Sequence, residues 1–448
     1  MGCSGIMNSD LRNVSTDHSD SHQVAVGGFA SSALFVAIIL YFWIGLTPFP
    51  SLAESSGSLP ANSSNIINQF VMITISLSVI AVLAFNPAVN LVVKLLGFLL
   101  VIFLWLAITG LAAPDPLFAL RRLVYALLTC ICACGVLLLP RTAAHFGKLI
   151  GVCLLLVLAL CYLGVLALPQ RAIHQASDAV EVGLAGDWRG YFLHKNTAAA
   201  AMAYCIFLGL FIRTRHSTRL GWLIIVLAAV FLWKTGGKTS AAMVPAILAA
   251  SWLFERVGPF RLFIVGSILG LMNYILISAA VSRSMQAFLK SHGFDPTFTD
   301  RAAIWRIALS AISNSPVTGY GFQSFWGTSA VYRGEVAMSN WAVTAASAHN
   351  GYLELLLYGG WPLLVLMLLW MLVLPCRYAG IALKRNTEPE LTRLFIRCWL
   401  FSVFLGCLES AFLSGEQIWF MMVVALFGLK LQAYADPILP HSMQPTSA

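Results

Sequence analysis

The stretch "GKLIGVCLLLVLALCYLGVLAL", residues 147–168, carries a single charged side chain, Lys148, in 22 residues. A helix of that length crosses the hydrocarbon core of a bilayer, and no polar face interrupts this one. Apolar runs of the same kind recur outward from it at roughly 27–47, 67–86, 91–112, 120–139, 196–213, 219–235, 239–255, 261–281, 350–375, 396–413 and 417–434. The spacing predicts about twelve transmembrane helices. Of 448 residues, 59% are hydrophobic and only 10% charged. A soluble domain cannot bury that much apolar surface, so lipid is the solvent for most of the chain. The expected fold class is an all-α polytopic membrane protein, because helices satisfy their own backbone hydrogen bonds in lipid.

This reading divides the chain into a polar tail at 1–26, nine helices over 27–281, a long loop at 282–348, three helices over 349–434 and a second tail at 435–448. The first tail contains Asp10, Asp17 and Asp20 and does not form a signal peptide, since the apolar run starts late and continues as a full span. Cys3 follows no apolar stretch, which argues against a lipid-modified leader. The ten cysteines include no CxxC pair, and the C-x-C-x-C at 130–134 reads as small apolar residues around a helix.

Basic residues set the sidedness. With both tails in the cytoplasm, 15 of the 27 Lys and Arg fall on inner segments, 8 in the two long outer loops (169–195 and 282–348), and only 4 on short outer loops and helix ends. Those four are Arg121, Arg122, Lys234 and Lys238. Together with Arg189, Lys195 and Arg301 they are cations on the wrong face. Each alone can be a snorkelling side chain, but a converging set suits an anionic ligand. The net charge of +9 does not signal nucleic acid, because no basic stripe lies on a soluble face.

Two near-motifs mislead. "GGKTS" at 236–240 resembles the end of a phosphate loop, but Leu232 stands where that pattern needs glycine. A glycine turn, a lysine and a helix start near Ser240 still make an anion site. "VTGYGF" at 317–322 resembles a potassium filter with Val and Thr exchanged, and one copy in twelve spans builds no fourfold pore. The outer acids Glu54, Asp115, Asp178, Glu181, Asp187, Asp295, Asp300, Glu335 and Glu416 are scattered, so no divalent metal site is expected.

Within 282–348, Asp300 can cap a helix over roughly 301–313 with an apolar side of Ile304, Trp305, Ile307 and Ile312. Ser315-Pro316 ends it, and Gly319 and Gly321 permit a close backbone approach. "SAHNGYLELLLYGGWP", 347–362, then sets a His, an Asn and a Glu at the mouth of a span. Glu354 is one helical turn beyond Asn350, and a buried Glu there is expected to pair with an Arg or Lys.

The ordered set "DRAAIWRIAL", "SPVTGYGFQSFW" and "SAHNGYLELLLYGGWP", preceded by "RGYFLHKNTAAA" and "GGKTS", resembles the O-antigen ligase and polymerase family over roughly residues 186–362. The resemblance implies a GT-C-like glycosyltransferase of lipopolysaccharide biosynthesis in the bacterial inner membrane, with its active site in the periplasm. It implies a donor glycan on undecaprenyl pyrophosphate, a lipid A-core acceptor, no cofactor, and metal-independent, inverting transfer. Carried onto this chain, it makes His349 the base, since an imidazole with a reference pKa of about 6.5 can take a hydroxyl proton. Arg301 becomes the first choice for meeting the pyrophosphate charge. Lys238, Arg189 and Lys195 are further substrate-binding candidates, followed by Arg121 and Arg122. Asn350 is a candidate for orienting the His or a sugar hydroxyl, Tyr320 is a further substrate-binding candidate, and Glu354 supports the site from behind. Glu409 reads as a partner for a loop cation. The alternatives are a polymerase with a lipid-linked repeat as acceptor, a pilin oligosaccharide transferase and a lipid-linked sugar flippase. A flippase would place polar residues at mid-span rather than at the mouth.

Overall fold

The computed structural model describes residues 28–52, 66–85, 89–178, 182–295, 298, 301–333 and 341–434. The two expected tails, the Asp300 cap and the acids Glu54, Glu181 and Glu335 lie outside the described residues. The helices are α1 (Gly28–Trp43), α2 (Ile66–Ala84), α3 (Val89–Leu111), α4 (Pro116–Gly135), α5 (Ala143–Ala167), α6 (Lys195–Arg215), α7 (Thr218–Lys234), α8 (Lys238–Arg256), α9 (Arg261–Val281), α10 (Arg283–Ser291), α11 (Arg301–Asn314), α12 (Gly351–Leu368), α13 (Leu374–Arg385), α14 (Pro389–Leu405) and α15 (Gln417–Tyr434). The described residues contain no strand, and the protein is an all-α polytopic membrane protein.

Each of the twelve apolar runs overlaps a helix, and among the described residues eight helices are long and apolar enough to cross a membrane by length and composition. α1, α7 and α14 are shorter, and α8 carries charges at both ends and Pro245 inside. The twelve runs therefore each mark a helix, although the run at 396–413 continues past the end of its helix at Leu405, and fewer than twelve of these helices meet a length rule for spanning. The 35-residue unit from Gly351 to Arg385 errs the other way, running far longer than one bilayer needs.

Burial separates centre from rim. α15 and α6 are 83% and 78% buried by protein, against 22% for the span containing α9 and 28% for α2. A helix apolar on every side belongs in the middle of a bundle. α6 is suited to it by the run Ala198–Ala203 and by Gly209, where a Cβ would lie 3.2 Å from the Gly221 carbonyl of α7. The rim helices turn Phe70, Leu77, Phe263 and Leu271 outward, as lipid allows. At the end remote from His349, Arg393 joins Glu255 at 3.1 Å and Glu390 at 2.7 Å, and Arg215 joins Glu388 at 2.7 Å. Part of the basic charge of the 376–397 segment is thus used in tying α6, α8 and α14 together.

The glycines of the 316–321 turn have a specific partner. α12 breaks at Gly359 and Gly360, the latter at φ +66°. The turn fills the break: Trp361 N–H donates to the Pro316 carbonyl at 2.9 Å, and Tyr320 N–H to the Leu357 carbonyl at 2.7 Å. The Trp105 indole donates to the Gly359 carbonyl at 2.8 Å. A Cβ at Gly319 would fall 2.4 Å from the Leu357 carbonyl, and one at Gly360 2.2 Å from that of Val317. Only bare backbone on both sides allows the approach. Gly360→Ala is expected to lower the thermal unfolding midpoint in detergent, at a cost of roughly 1–3 kcal/mol for the strained φ alone. Gly97→Ala, where a Cβ meets nothing within 4 Å, is the control and should not lower it.

Candidate active site

Helix α11 begins at Arg301 and ends at Asn314, before Ser315-Pro316. Arg301 and Trp305 are one turn apart, so they project from one face. Trp305 is fully buried, and its indole donates to the Ala348 carbonyl at 2.9 Å. The Ala348 N–H donates to Glu354 Oε1. Both polar groups of the residue before His349 are therefore held. His349 itself sits at φ +47°, a left-handed conformation unusual for a residue with a Cβ. Asn350 follows as the cap of α12, its Oδ1 accepting from the N–H groups of Tyr352 at 2.9 Å and Leu353 at 3.1 Å.

Arg301 Nη1 donates to the Leu408 carbonyl, and Nη2 donates to Glu409 Oε1 at 3.0 Å. Asn196 Nδ2, from the first turn of α6, donates to the same oxygen at 3.1 Å. The other oxygen, Oε2, faces His349 Nδ1 at 3.5 Å. The ring is 39% exposed, and Nε2 has no partner among the described residues. Burial pushes the Glu409 carboxyl up, but the His349 hydrogen bond and the Arg301 charge outweigh it and hold the group below its ordinary value. Glu416, farther along the same loop, is pushed up by burial and by the charge of Glu409. The loop after α14 thus keeps its negative charge at Glu409, beside the imidazole.

Several expected ligand-binding side chains turn out to be engaged with the protein. Arg189 is 1% exposed and donates to the carbonyls of Phe192 at 2.9 Å and Pro50 at 3.0 Å, so it shapes the loop instead of facing a ligand. Asn350 is fully buried, and its Nδ2 donates to Asn273 Oδ1 at 3.2 Å and the Cys407 carbonyl at 3.0 Å, which leaves none of its atoms for a sugar. The Tyr320 hydroxyl donates to the Ala311 carbonyl at 3.0 Å. Lys195 Nζ pairs with Asp187 at 2.6 Å. Glu354 accepts from neutral donors instead of the expected Arg or Lys: Ala348 N–H, the Trp326 indole at 3.0 Å and the Ser410 hydroxyl at 3.3 Å. Among the described residues no cation pairs with it; Glu409 takes that role.

Three expected cations keep outward-facing charge. Lys238 is exposed at the start of α8, next to a glycine turn that packs on Asp187, where a Cβ at Gly236 would lie 2.7 Å from Oδ1. Arg121 and Arg122 line a cavity of about 720 Å³ with Asn68, Gln69, Tyr125, Gln323 and Gly415. Leu413 and Gly415 of the 406–416 loop also line it, while Leu408 and Glu409 of that loop hold Arg301.

Residues 190–368 match the family model described as O-Antigen ligase. Over this segment the chain is similar to that family. The match includes Lys195, Lys238, Arg301, Tyr320, His349, Asn350 and Glu354, and leaves Arg121, Arg122, Arg189 and Glu409 outside. No curated protein matches the chain. Members of that family are glycosyltransferase-like enzymes of lipopolysaccharide biosynthesis, with lipid-linked sugar donors and lipopolysaccharide acceptors in general.

The residue that sequence reasoning undervalued is Glu409. Its signal was an acid at the outer end of an apolar run, which matched a loop cation but not the His. Asn196 carried no more signal than its place in "HKN". The pH dependence tests the network. Glu409 has a folded pKa below its unfolded one, so its stabilisation is full well above the reference value of about 4.3 and is lost as pH falls through the folded value. Glu409→Gln is expected to lower the unfolding midpoint at pH 7 and to flatten its decline between about pH 5 and 3, measured by thermal scans in detergent.

Proposed function

We propose that the chain transfers a glycan from a polyprenyl diphosphate to a hydroxyl of the lipid A core on the periplasmic face of the inner membrane. The observation that carries this reading is the His349–Glu409–Arg301 arrangement at the mouth of the bundle. The Glu409 carboxylate facing Nδ1 favours the tautomer with the proton on that nitrogen, leaving the Nε2 lone pair for the acceptor. The acceptor hydroxyl gives its proton to Nε2 as its oxygen attacks the anomeric carbon. The bond from that carbon to the diphosphate oxygen breaks, and its electron pair leaves with the phosphate. Attack opposite the leaving group inverts the anomeric carbon. Glu409 stabilises the imidazolium that forms, as an orienting carboxylate does beside a general base. Arg301 and Asn196 hold that carboxylate in place.

The charge asymmetry supports the periplasmic assignment, with 15 basic residues on inner segments against 4 on short outer ones. The ligase reading over the polymerase one is supported by the "RGYFLHKN" and "GGKTS" segments within the matched region. The decisive assay is the purified enzyme with a lipid-linked glycan and two competing acceptors, lipid A core and a second lipid-linked repeat. Transfer to the core supports a ligase; transfer to the repeat makes the chain a polymerase.

His349→Ala is expected to reduce transfer by about 10²–10⁴-fold, the usual contribution of a positioned base, with expression unchanged. Normal glycan attachment by that variant in cells would remove the base from the mechanism. Arg301→Lys is expected to be nearly as damaging, because one ammonium cannot span the Leu408 carbonyl and Glu409 as the planar guanidinium does. Wild-type turnover of Arg301→Lys would show that the network does not position the base.

A further inference from the structure

The first turn of α6 is capped by ring nitrogens, where helix starts ordinarily use side-chain oxygens. His194 precedes the helix, and its Nδ1 accepts from the Asn196 N–H at 3.1 Å. His174, from the 168–194 loop, accepts from the Lys195 N–H through Nε2 at 3.3 Å. Only a neutral imidazole can accept there, since both nitrogens of an imidazolium are donors. His174 is 3% exposed, and its backbone is fixed as well. Its N–H donates to the Asp187 carbonyl and its carbonyl accepts from the Gly186 N–H, both at 2.9 Å, beside the antiparallel bridge of Ile173 and Trp188. Asn196, on the turn so capped, is the residue whose Nδ2 donates to Glu409 Oε1 at 3.1 Å.

We infer that His174 is a positioning residue: its neutral ring fixes the start of α6, Asn196 is thereby held against Glu409, and protonation of the ring releases that contact. The consequence for transfer rests on Glu409 working beside His349; the capping stands without it.

Three features set protonation of His174 against the contact. A proton on Nε2 points at the Lys195 N–H, donor against donor. It also adds positive charge at a helix N-terminus, the positive end of the helix dipole. The third is its company: the buried Arg189, and the His194 ring at 5.4 Å between centroids. Asp178 opposes them, with Oδ2 3.4 Å from Nδ1, but that oxygen already accepts from the Gln175 N–H at 2.9 Å. The remaining charges alongside, Lys195 and Asp187, pair with each other at 2.6 Å. Burial first, then His194 and Arg189, hold the His174 imidazole below its ordinary value against the pull of Asp178. Its folded pKa is therefore below its unfolded one. The stabilisation is full above the unfolded reference of about 6.5 and is lost as pH falls through the folded value.

The test is hydrogen exchange by mass spectrometry on the purified full chain in detergent, at about pH 7.5 and about pH 5, corrected for the intrinsic pH dependence of exchange. Peptides covering the first turn of α6 are expected to lose roughly tenfold protection at the lower pH, the equivalent of a lost cap, while the middle of α6 keeps its own. His174→Gln offers an amide oxygen that accepts from the Lys195 N–H and does not titrate, so it should keep protection at both values. In transfer assays His174→Gln should also keep a share of its pH 7.5 rate at pH 5 at least about threefold larger than wild type does, with KM unchanged. His349→Ala should show the wild-type loss of protection, since the base is no part of the cap. Unchanged protection in the wild-type chain overturns the inference, and that measurement needs no variant. Equal loss in His174→Gln overturns it too, because another group would then be titrating. Equal acid sensitivity of transfer in both chains overturns the positioning role. Exchange reads the cap and transfer by His349→Ala reads the base, so either can fail without the other.

Discussion

A carboxylate largely withdrawn from water is tolerable only if several groups share its charge, and Glu409 meets that condition with one contact from each of three chain segments. Arg301 arrives from the loop helix α11, Asn196 from the start of the central helix α6, and His349 from the turn before α12. The three segments are more than a hundred residues apart at the extremes, and the acid itself lies beyond all of them in sequence. Removing any partner would leave the others facing an uncompensated charge. The site is in this sense one electrostatic object, and the second imidazole nitrogen has no partner among the described residues.

The backbone around His349 is built to the same end. A left-handed conformation at a residue with a Cβ persists only when its neighbours fix it. Here the Trp305 indole holds the carbonyl before it, Glu354 holds the N–H before it, and Asn350 starts a helix directly after it. The spacing of Arg301 and Trp305 acquires a physical meaning: one face of α11 secures the carboxylate with the first side chain and the strained turn with the second. Glu354 and Asn350, close to His349 in sequence, fix the backbone on either side of it.

The glycine-rich segments obey a similar logic. "PVTGYG" and "YGG" each look like a candidate ligand loop when taken singly. In the fold they meet each other, and the carbonyls released where α12 breaks are taken up by the turn and by Trp105. A break in a membrane helix needs such replacement donors, because lipid supplies none. The break lets the 351–358 segment depart from the axis of the remaining helix while its first turn stays at the site.

The sequence alone determined the solvent and the helices, since hydropathy is local, and it marked an imidazole near misplaced cations as a candidate site from spacing and charge. Residues 301–314 as a helix and Ser315-Pro316 as its end were likewise visible, because caps and breakers act within a few residues. Only the tertiary structure decided which charges are spent and which are open. Arg189 and Arg121 look alike in sequence, yet one is sealed among carbonyls and the other lines a cavity. The partner of a cation is chosen by groups distant along the chain, through desolvation and contact at a few ångströms, and no local pattern encodes that choice.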